Sequence, residues 1–507
     1  MKTIFDNVNA SRGDFFLRPV SRPWFSHQAL VACCIFFTVS QVLGGTNFSA
    51  GPIFDEFPLT LGDGNRTEAA GPLYYSRKDG SENTWAIPPL YSHDADPAVE
   101  QLENDYLYPI VTYGRYGSQY RWQFIQIFSA SGGADPDNSA KNRVTIFPFY
   151  FHQHSTNPEK NYTAVVPFYG HLKNRLFRDE IFFVMFPVFG ETRKNGVVTD
   201  NYLYPVFDRV HGNGVHGWQV WPLFGTVRKP VTTITNDFGQ AEVSAGYRRH
   251  FALWPIHFWQ DNGIGTTNER KVRADIPLYV IERSPMRDST AVLWPFFEWI
   301  NDRGLKYHEW QGPWPFVVVA RGPGKTATRF FPLFSRAHNN ILEDNFYLWP
   351  LYKFHRVHSP PLDRRRTRIL FYLFQNVADK NTATGQEQRR VDLWPLFVYH
   401  RDFHGDTRLQ LIAPVESMLP DNRGVERNWS PLWSVWRSQW NAVTGANSQS
   451  LLWNLYRRDA SPEGKKISAA FGLFQYRAHY EAGATNTLRL FFIPVARWHG
   501  KAGVVEP

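Results

Sequence analysis

A short apolar motif with a proline at its centre recurs throughout the chain. Residues 348–351 read Leu-Trp-Pro-Leu, and close copies surround Pro295 and Pro395. Marking the proline, or the residue in its place, gives about 23 copies between Pro52 and Pro494, with a mean spacing of about 20 residues. Self-similarity at such a period is the signature of a repeat architecture, which constrains the fold more than any other feature of the chain.

The segments between the motifs predict β-structure. Turn-forming runs such as Lys194-Asn195-Gly196 and Gly212-Asn213-Gly214 supply the positive φ angles of tight reversals. Each repeat is therefore interpreted as one strand of roughly 9 to 12 residues plus a turn. Spacings between motifs begin by alternating between longer and shorter values, which favours an antiparallel up-and-down meander over a parallel solenoid. The 33-residue spacing from Pro222 to Pro255 indicates a loop insertion at one end of the strands.

The register places proline in the middle of each predicted strand. Proline removes one donor from the ladder, so its repetition predicts a bulge that bends the sheet along a line. Around Pro350 and Pro395 the residues on both faces of the predicted strand are apolar. This pattern is typical of strands that are buried on both sides.

We expect an all-β protein with a single repeat domain over residues 46–507, built from about 23 aromatic-proline strand repeats. Three architectures fit a long antiparallel meander: a propeller, a closed or superhelical β-shell, and a large outer-membrane β-barrel. A membrane-spanning strand needs roughly 9 to 11 residues, more than the apolar centre of each repeat supplies. The pattern therefore favours the propeller or the shell and keeps the barrel as the alternative.

Residues 1–45 are interpreted as an export signal or an N-terminal membrane anchor. An apolar run at residues 29–43 follows Arg12, Arg18 and Arg22 and precedes a pair of glycines. A basic region, an apolar core and small residues after it describe an export signal. The run is shorter than the roughly 20 residues that span a bilayer, although residues 29–43 could associate with a membrane. Together these features predict export to a bacterial cell envelope, in the periplasm, the outer membrane or the cell surface.

The charge and the cysteine content limit the kinds of partner, disulfide and metal site that the chain can have. The 55 basic and 46 acidic residues leave a formal net charge of +9, a mild bias that predicts no nucleic-acid partner. The two cysteines, Cys33 and Cys34, precede the repeat array, so the array contains neither a disulfide framework nor a cysteine-based metal site. We expect no cofactor and no metal.

Arginine recurs six residues after the register position, on the same face of the strand as the proline. One interpretation is a basic ligand-binding rim that captures acidic glycans or lipid headgroups. The other is that arginine stems cover aromatic edges while the guanidinium groups reach water or stack on rings. These residues are Arg115, Arg193, Arg228, Arg283, Arg321, Arg356, Arg401 and Arg437.

The array repeats packing residues and no reactive group. The sequence therefore predicts an exported, non-enzymatic β-repeat protein of the cell envelope that acts as a structural scaffold or binds a glycan or another envelope component. One alternative is an outer-membrane pore. Another is a carbohydrate-active enzyme on a propeller, with an acid pair from Glu298 and Asp302 or from Glu416 and Asp421.

Overall fold

The computed structural model describes residues 49–134, 140–235, 241–481 and 483–499. The predicted export signal or anchor at residues 1–45, including the apolar run at 29–43, lies outside the described residues. Those predictions therefore stay predictions.

Short strands make up almost all of the described chain. The strands before the long spacing are β1 (Phe54–Pro58), β2 (Gly64–Ala69), β3 (Tyr74–Asp79), β4 (Glu82–Ile87), β5 (Tyr91–Asp96), β6 (Gln101–Tyr106), β7 (Val111–Tyr116), β8 (Gln119–Phe124), β9 (Phe128–Ala134), β10 (Ala140–Ile146), β11 (Tyr150–Ser155), β12 (Tyr162–Val165), β13 (Tyr169–Arg175), β14 (Arg178–Val184), β15 (Phe189–Lys194), β16 (Val197–Tyr202), β17 (Phe207–Gly212), β18 (Val215–Val220) and β19 (Phe224–Lys229). A separate hairpin follows, formed by β20 (Thr232–Thr235) and β21 (Ala241–Ser244).

The series then continues in the same manner to the end of the described chain. Its strands are β22 (Gly246–Ala252), β23 (His257–Ile264), β24 (Arg270–Asp275), β25 (Tyr279–Arg283), β26 (Arg287–Val292), β27 (Phe297–Asp302), β28 (Tyr307–Gln311), β29 (Val317–Arg321), β30 (Thr326–Phe330), β31 (Phe334–His338), β32 (Leu342–Tyr347), β33 (Tyr352–Ser359), β34 (Leu362–Ile369), β35 (Phe374–Asn381), β36 (Glu387–Leu393), β37 (Phe397–Arg401), β38 (Thr407–Leu411), β39 (Trp436–Trp440), β40 (Asn447–Leu451), β41 (Tyr456–Ser461), β42 (Gly464–Ala469), β43 (Phe474–His479), β44 (Thr485–Leu490) and β45 (Ile493–His499).

Helical segments are few and short. Among the described residues, three single 3-10 turns cover Gly71–Leu73, Pro97–Val99 and Pro158–Lys160, and two α-helices, α1 (Arg423–Asn428) and α2 (Ser430–Trp433), lie between β38 and β39. The side chain of Asn422 caps α1 by accepting a hydrogen bond from the Val425 N–H. In the part of the chain that the structure describes, no helix is long and apolar enough to cross a membrane.

Forty-three strands form one antiparallel sheet. Each strand pairs with the next one along the chain, except that β19 pairs with β22 because β20 and β21 pair with each other. The predicted all-β meander is confirmed, as is the insertion in the long spacing. The strands form one continuous sheet and not separate blades. Among the described residues, β1 pairs only with β2, and β45 pairs only with β44.

The prediction of one strand per repeat, with proline at its centre, is wrong. Pro350 lies in the turn between β32 and β33, and Pro395 lies in the turn between β36 and β37. A repeat therefore contains two strands and two turns, and the strands are 4 to 8 residues long. The predicted bulge is absent at Pro350 because the apolar run crosses a reversal of the chain. The peptide bond before each of these two prolines is cis.

Each strand pairs in antiparallel fashion with its neighbour in sequence. Successive turns therefore lie alternately at the two ends of the strands, along two opposite borders of the sheet. The glycine- and asparagine-rich turns, such as those at Gly196 and Gly214, form one edge, here called the polar edge. The proline-type turns form the other edge, here called the apolar rim. The rim comprises residues 88–90, 107–110, 125–127, 147–149, 166–168, 185–188, 203–206, 221–223, 253–256, 276–278, 293–296, 312–316, 331–333, 348–351, 370–373, 394–396, 452–455, 470–473 and 491–492.

The two faces of the sheet differ in burial. On one face, here called the buried face, residues near the rim such as Ala164, Ser92 and Asp392 are at most 1% exposed. On the other, here called the exposed face, Tyr169 is 52% exposed and Phe224 is 45% exposed. The prediction that both faces are buried is therefore wrong. Small and polar side chains are frequent on the buried face, and large apolar side chains lie on the exposed face.

Side chains join the two ends of the sheet. Arg437 from β39 donates two hydrogen bonds to Glu68 from β2, at 2.6 and 2.7 Å, and both side chains are largely buried. Arg427 from α1 pairs with Asp94 at 2.7 Å and with Asp105 at 3.0 Å. Burial alone would raise the pKa of Glu68, but Arg437 and a second arginine hold it well below its ordinary value. We call this group of five residues the terminal clasp. It connects β2, β5 and β6 to α1 and β39, and among the described residues these two groups of segments share no backbone pairing.

Candidate functional site

The turns of the apolar rim are hydrogen-bonded to one another. In the turn at 348–351, Leu348 N–H donates to the Leu333 carbonyl at 2.5 Å, and Trp349 N–H donates to the Pro332 carbonyl at 2.7 Å. Leu351 N–H donates to the Leu348 carbonyl at 2.7 Å, and the proline has no N–H. Every backbone donor of this turn is therefore satisfied, and the turn presents apolar side chains outward.

The same arrangement recurs along the rim. In the turn at 203–206, Leu203 N–H donates to the Val188 carbonyl at 2.8 Å, and Tyr204 N–H donates to the Pro187 carbonyl at 2.7 Å. Val206 N–H donates back to the Leu203 carbonyl at 2.8 Å. In these two turns the backbone donors are used within the rim, which is the condition that backbone must meet to enter an apolar medium.

Several rim turns begin with leucine in the left-handed backbone region. Leu203, Leu253, Leu293 and Leu348 have φ between 46° and 52°. This region costs an ordinary L-residue roughly 1–2 kcal/mol, whereas glycine and asparagine adopt it readily. The polar edge uses Asn195 and other asparagines and glycines for this purpose. The rim therefore keeps a large apolar side chain where a polar residue would be less strained.

The first row of the exposed face, next to the rim, is continuously apolar over long stretches. Its register runs through Phe189, Tyr202, Phe207 and Val220 on neighbouring strands. The ring centroids of Phe189 and Tyr202, which are neighbours in this row, lie 5.3 Å apart. The row widens the apolar rim into a band along the exposed face.

The second row of the exposed face, one pleat farther from the rim, contains several tryptophan and histidine residues between β4 and β28. Cross-strand neighbours in this row include Trp85 with His93, His250 with Trp259, and Trp299 with Trp310. All four tryptophans are partly exposed. Aromatic side chains with a polar ring atom are enriched where an apolar medium meets water.

The third row of the exposed face contains seven of the eight arginines that the sequence singled out. Register pairs place Arg115, Arg193, Arg228, Arg283, Arg321, Arg356 and Arg401 in this row. Further cations in the same row are Arg248, Lys271, Arg365 and Arg389, and acidic residues in it are Glu180, Asp261, Asp288 and Glu343. The row is therefore strongly cationic.

Arg437 is the exception, because it lies on the buried face and binds Glu68 in the terminal clasp. The register residue of Arg437 is Pro431, which lies in α2 and not in a turn that directly joins two strands. The six-residue spacing therefore does not place Arg437 on the exposed face.

The rows have a defined order and spacing. Residues two apart on one face of a strand are separated by about 7 Å, so the third row lies about 15–20 Å from the tips of the rim. With increasing distance from the rim, leucine and phenylalanine are followed by mixed apolar residues, and the third row contains arginine. Between β4 and β28, tryptophan and histidine are frequent in the intervening second row. The hydrocarbon layer of one bilayer leaflet is about 15 Å thick, half of the core of the whole bilayer.

The predicted acid pairs have structural partners. Glu416 accepts hydrogen bonds from Ser430 at 2.5 Å and from Trp433 at 2.9 Å, which connects the segment after β38 to α2. Asp302 accepts the Leu305 N–H at 2.7 Å within a turn of the polar edge. Burial raises the pKa of Glu298. Among the described residues there is no group of three or more histidine, cysteine, aspartate or glutamate side chains that could hold a metal ion.

Comparison of the chain with protein-family models gives no match, and comparison with curated proteins gives none either.

The apolar rim itself is the feature that the sequence interpretation missed. Its signal is present in the chain as leucine, an aromatic residue, proline and a further apolar residue, alternating with turns rich in glycine and asparagine. Two kinds of turn in strict alternation identify a sheet with chemically different edges.

Proposed function

We propose that this protein is a non-enzymatic scaffold that inserts its apolar rim into one leaflet of a membrane. The observation that carries the proposal is the rim, where large apolar side chains are exposed while the backbone donors of turns such as 203–206 and 348–351 bond within the rim. Soluble monomers rarely expose a contiguous apolar patch larger than about 300–600 Å². The rim extends over turns from residue 88 to residue 492, so its apolar side chains call for a partner that is equally extended.

The order of the rows supports a lipid partner. A lipid leaflet offers hydrocarbon, then an interface, then phosphate groups, over about the distance that separates the rim from the arginine row. Leucine and phenylalanine suit the first layer, tryptophan suits the second and arginine suits the third. A protein partner would not impose this order along so many consecutive strands.

This proposal builds on the functional interpretation of the arginines as a lipid-headgroup rim. The predicted export and cell-envelope location are retained as part of it, with the membrane as the envelope component that is bound. The scaffold role rests on an array that repeats packing and surface residues and no reactive group.

The test measures the depth of single positions along the hairpin formed by β17 and β18. In a Cys33→Ser, Cys34→Ser background, an environment-sensitive fluorophore is attached to Val206→Cys at the rim, His211→Cys in the third row or Asn213→Cys at the polar edge. On addition of vesicles, we expect a blue shift and quenching by deep bromolipids at position 206. Position 211 should respond to headgroup quenchers, and position 213 should stay aqueous.

The opposite order of depths, or no response at position 206, would contradict insertion through the rim. Deep quenching at position 211 that exceeds the quenching at positions 206 and 213 would instead mean that the strands cross the membrane.

A further inference from the structure

A groove on the exposed face lies across β25 to β29. It has a volume of about 530 Å³, within the range of about 300–1,000 Å³ that is usual for small-ligand sites. Trp299 and Trp310 are direct cross-strand neighbours in it, 49% and 37% exposed, and Arg283 and Arg321 also line it. The groove thus combines two aromatic side chains of the second row with two guanidinium groups of the third.

Both arginines are held in place by backbone carbonyls. Arg283 Nη1 donates to the carbonyls of Glu282 at 2.8 Å and Ser289 at 2.5 Å. Arg321 Nη1 donates to the carbonyls of Ala320 at 2.8 Å and Ala327 at 2.7 Å. Guanidinium groups fixed in this way lose little freedom on binding, and guanidinium is the side-chain group best suited to phosphate.

The carboxylates that line the groove are already paired. Asp288 accepts a hydrogen bond from Arg303 at 2.7 Å. Glu309 binds Lys325 at 2.5 Å and Gln311 at 2.9 Å. A primary ammonium group needs acceptors for its N–H bonds, which these carboxylates do not offer freely. A quaternary ammonium group has no N–H and is recognised by aromatic side chains.

We infer that this groove binds the phosphocholine headgroup of a membrane lipid. The phosphate lies at Arg283 and Arg321, and the headgroup folds back along the sheet so that the trimethylammonium group lies against Trp299 and Trp310, on the side nearer the rim. The inference rests on the proposed function, because the second and third rows lie at the depth of the headgroups when the rim is inserted. The rim supplies general attachment to lipid, and the groove supplies a preference among headgroups.

The test uses water-soluble headgroups, so that it does not depend on membrane insertion. The full-length protein is titrated by calorimetry with glycerophosphocholine, glycerophosphoethanolamine and inorganic phosphate. We expect saturable binding of glycerophosphocholine, and binding at least about tenfold weaker for the other two compounds, which lack the methylated ammonium group. Trp310→Leu and Arg321→Gln should each weaken glycerophosphocholine binding about tenfold or more.

Matched controls lie in the same rows outside the groove. Trp218→Leu and Arg228→Gln make the same chemical changes, and both should leave glycerophosphocholine binding unchanged. The inference is overturned if the wild-type protein does not bind glycerophosphocholine, if phosphate binds as tightly, or if the controls lose as much as the groove variants.

The outcome is separable from that of the depth measurement. Vesicle insertion without glycerophosphocholine binding would remove the groove assignment and leave the rim. Glycerophosphocholine binding without insertion at position 206 would remove the rim and leave a headgroup site.

Discussion

Replacing rim leucines by asparagine should abolish much of the membrane affinity while leaving the fold intact. The double variant Leu293→Asn, Leu348→Asn changes the first residue of two rim turns. Both leucines have positive φ, 48° and 46°, and they are 50% and 55% exposed. Asparagine adopts this backbone conformation readily and carries no apolar surface.

The expected effect on stability is small because two terms oppose each other. Relief of the left-handed strain stabilises each turn by roughly 1–2 kcal/mol. Loss of the buried half of each leucine destabilises it by about 0.8–1.5 kcal/mol. The net change in the free energy of unfolding should therefore stay within about 1 kcal/mol for each site.

The expected effect on membrane binding is large. The exposed half of each leucine would be transferred to lipid, which contributes about 1–1.5 kcal/mol for each residue. Two substitutions should weaken vesicle partitioning by about 2–3 kcal/mol, or about 30- to 150-fold. Vesicle flotation over a range of lipid concentrations measures this change, and thermal melting reports the stability.

The polar edge provides a matched control. Leu176 and Phe177 also have positive φ, at 53° and 61°, and they are 56% and 94% exposed. The variant Leu176→Asn, Phe177→Asn removes at least as much exposed apolar surface from the opposite edge. If this control lost as much vesicle binding as the rim variant, binding would follow general hydrophobicity and the argument from the rim would be refuted.

Two further predictions concern the buried charges at the ends of the sheet. Arg437→Leu leaves Glu68 buried without its main partner, so it should destabilise the fold by about 3–5 kcal/mol in denaturant titrations. Arg193→Leu removes two exposed ion pairs, with Glu180 and Glu191, and should cost at most about 1 kcal/mol. Burial raises the pKa of Asp55 to about 6, against an ordinary value of 3.8, although nearby cations oppose the shift. The charged form is therefore disfavoured in the folded state, and Asp55 lowers stability as the pH rises from about 4 through 6. Asp55→Asn should be the more stable protein at pH 8, by up to about 3 kcal/mol, and the difference between their melting temperatures should vanish near pH 4. A constant difference across this range would contradict the assignment.

The meander was predictable because turn chemistry is local. Gly196 and Gly214 follow asparagines in tight reversals, and the sequence shows this directly. The insertion between Pro222 and Pro255 was predictable for the same reason, since extra residues without the motif must leave the sheet.

The position of the proline was not predictable from the usual rule that turns are polar. Residues 346–352 are continuously apolar, and such a run normally indicates a buried strand. The rule assumes that turns face water. At the rim, Leu348 and Leu351 are exposed in a turn, so a pattern that means burial elsewhere here marks an edge.

The arginine row was predictable as a regular feature, but its depth was not. Arg356 and Arg401 could be placed on one face by counting residues. Their distance from an apolar rim could be assigned only once the rim was known. Arg437 shows the limit of counting, because the segment with α1 and α2 moved it to the opposite face.

The alternation of turns restricts how a chain of this kind can grow or shrink. Insertion of a single strand would invert the direction of every later strand, and all later apolar turns would move to the polar edge. Insertion of a hairpin preserves the direction of the later strands. The terminal clasp uses side chains and no backbone pairing, so it does not fix the number of strands. Viable length variants of this sheet should therefore differ by an even number of strands. Their chain lengths should then differ by multiples of about 20 residues, the length of one two-strand repeat.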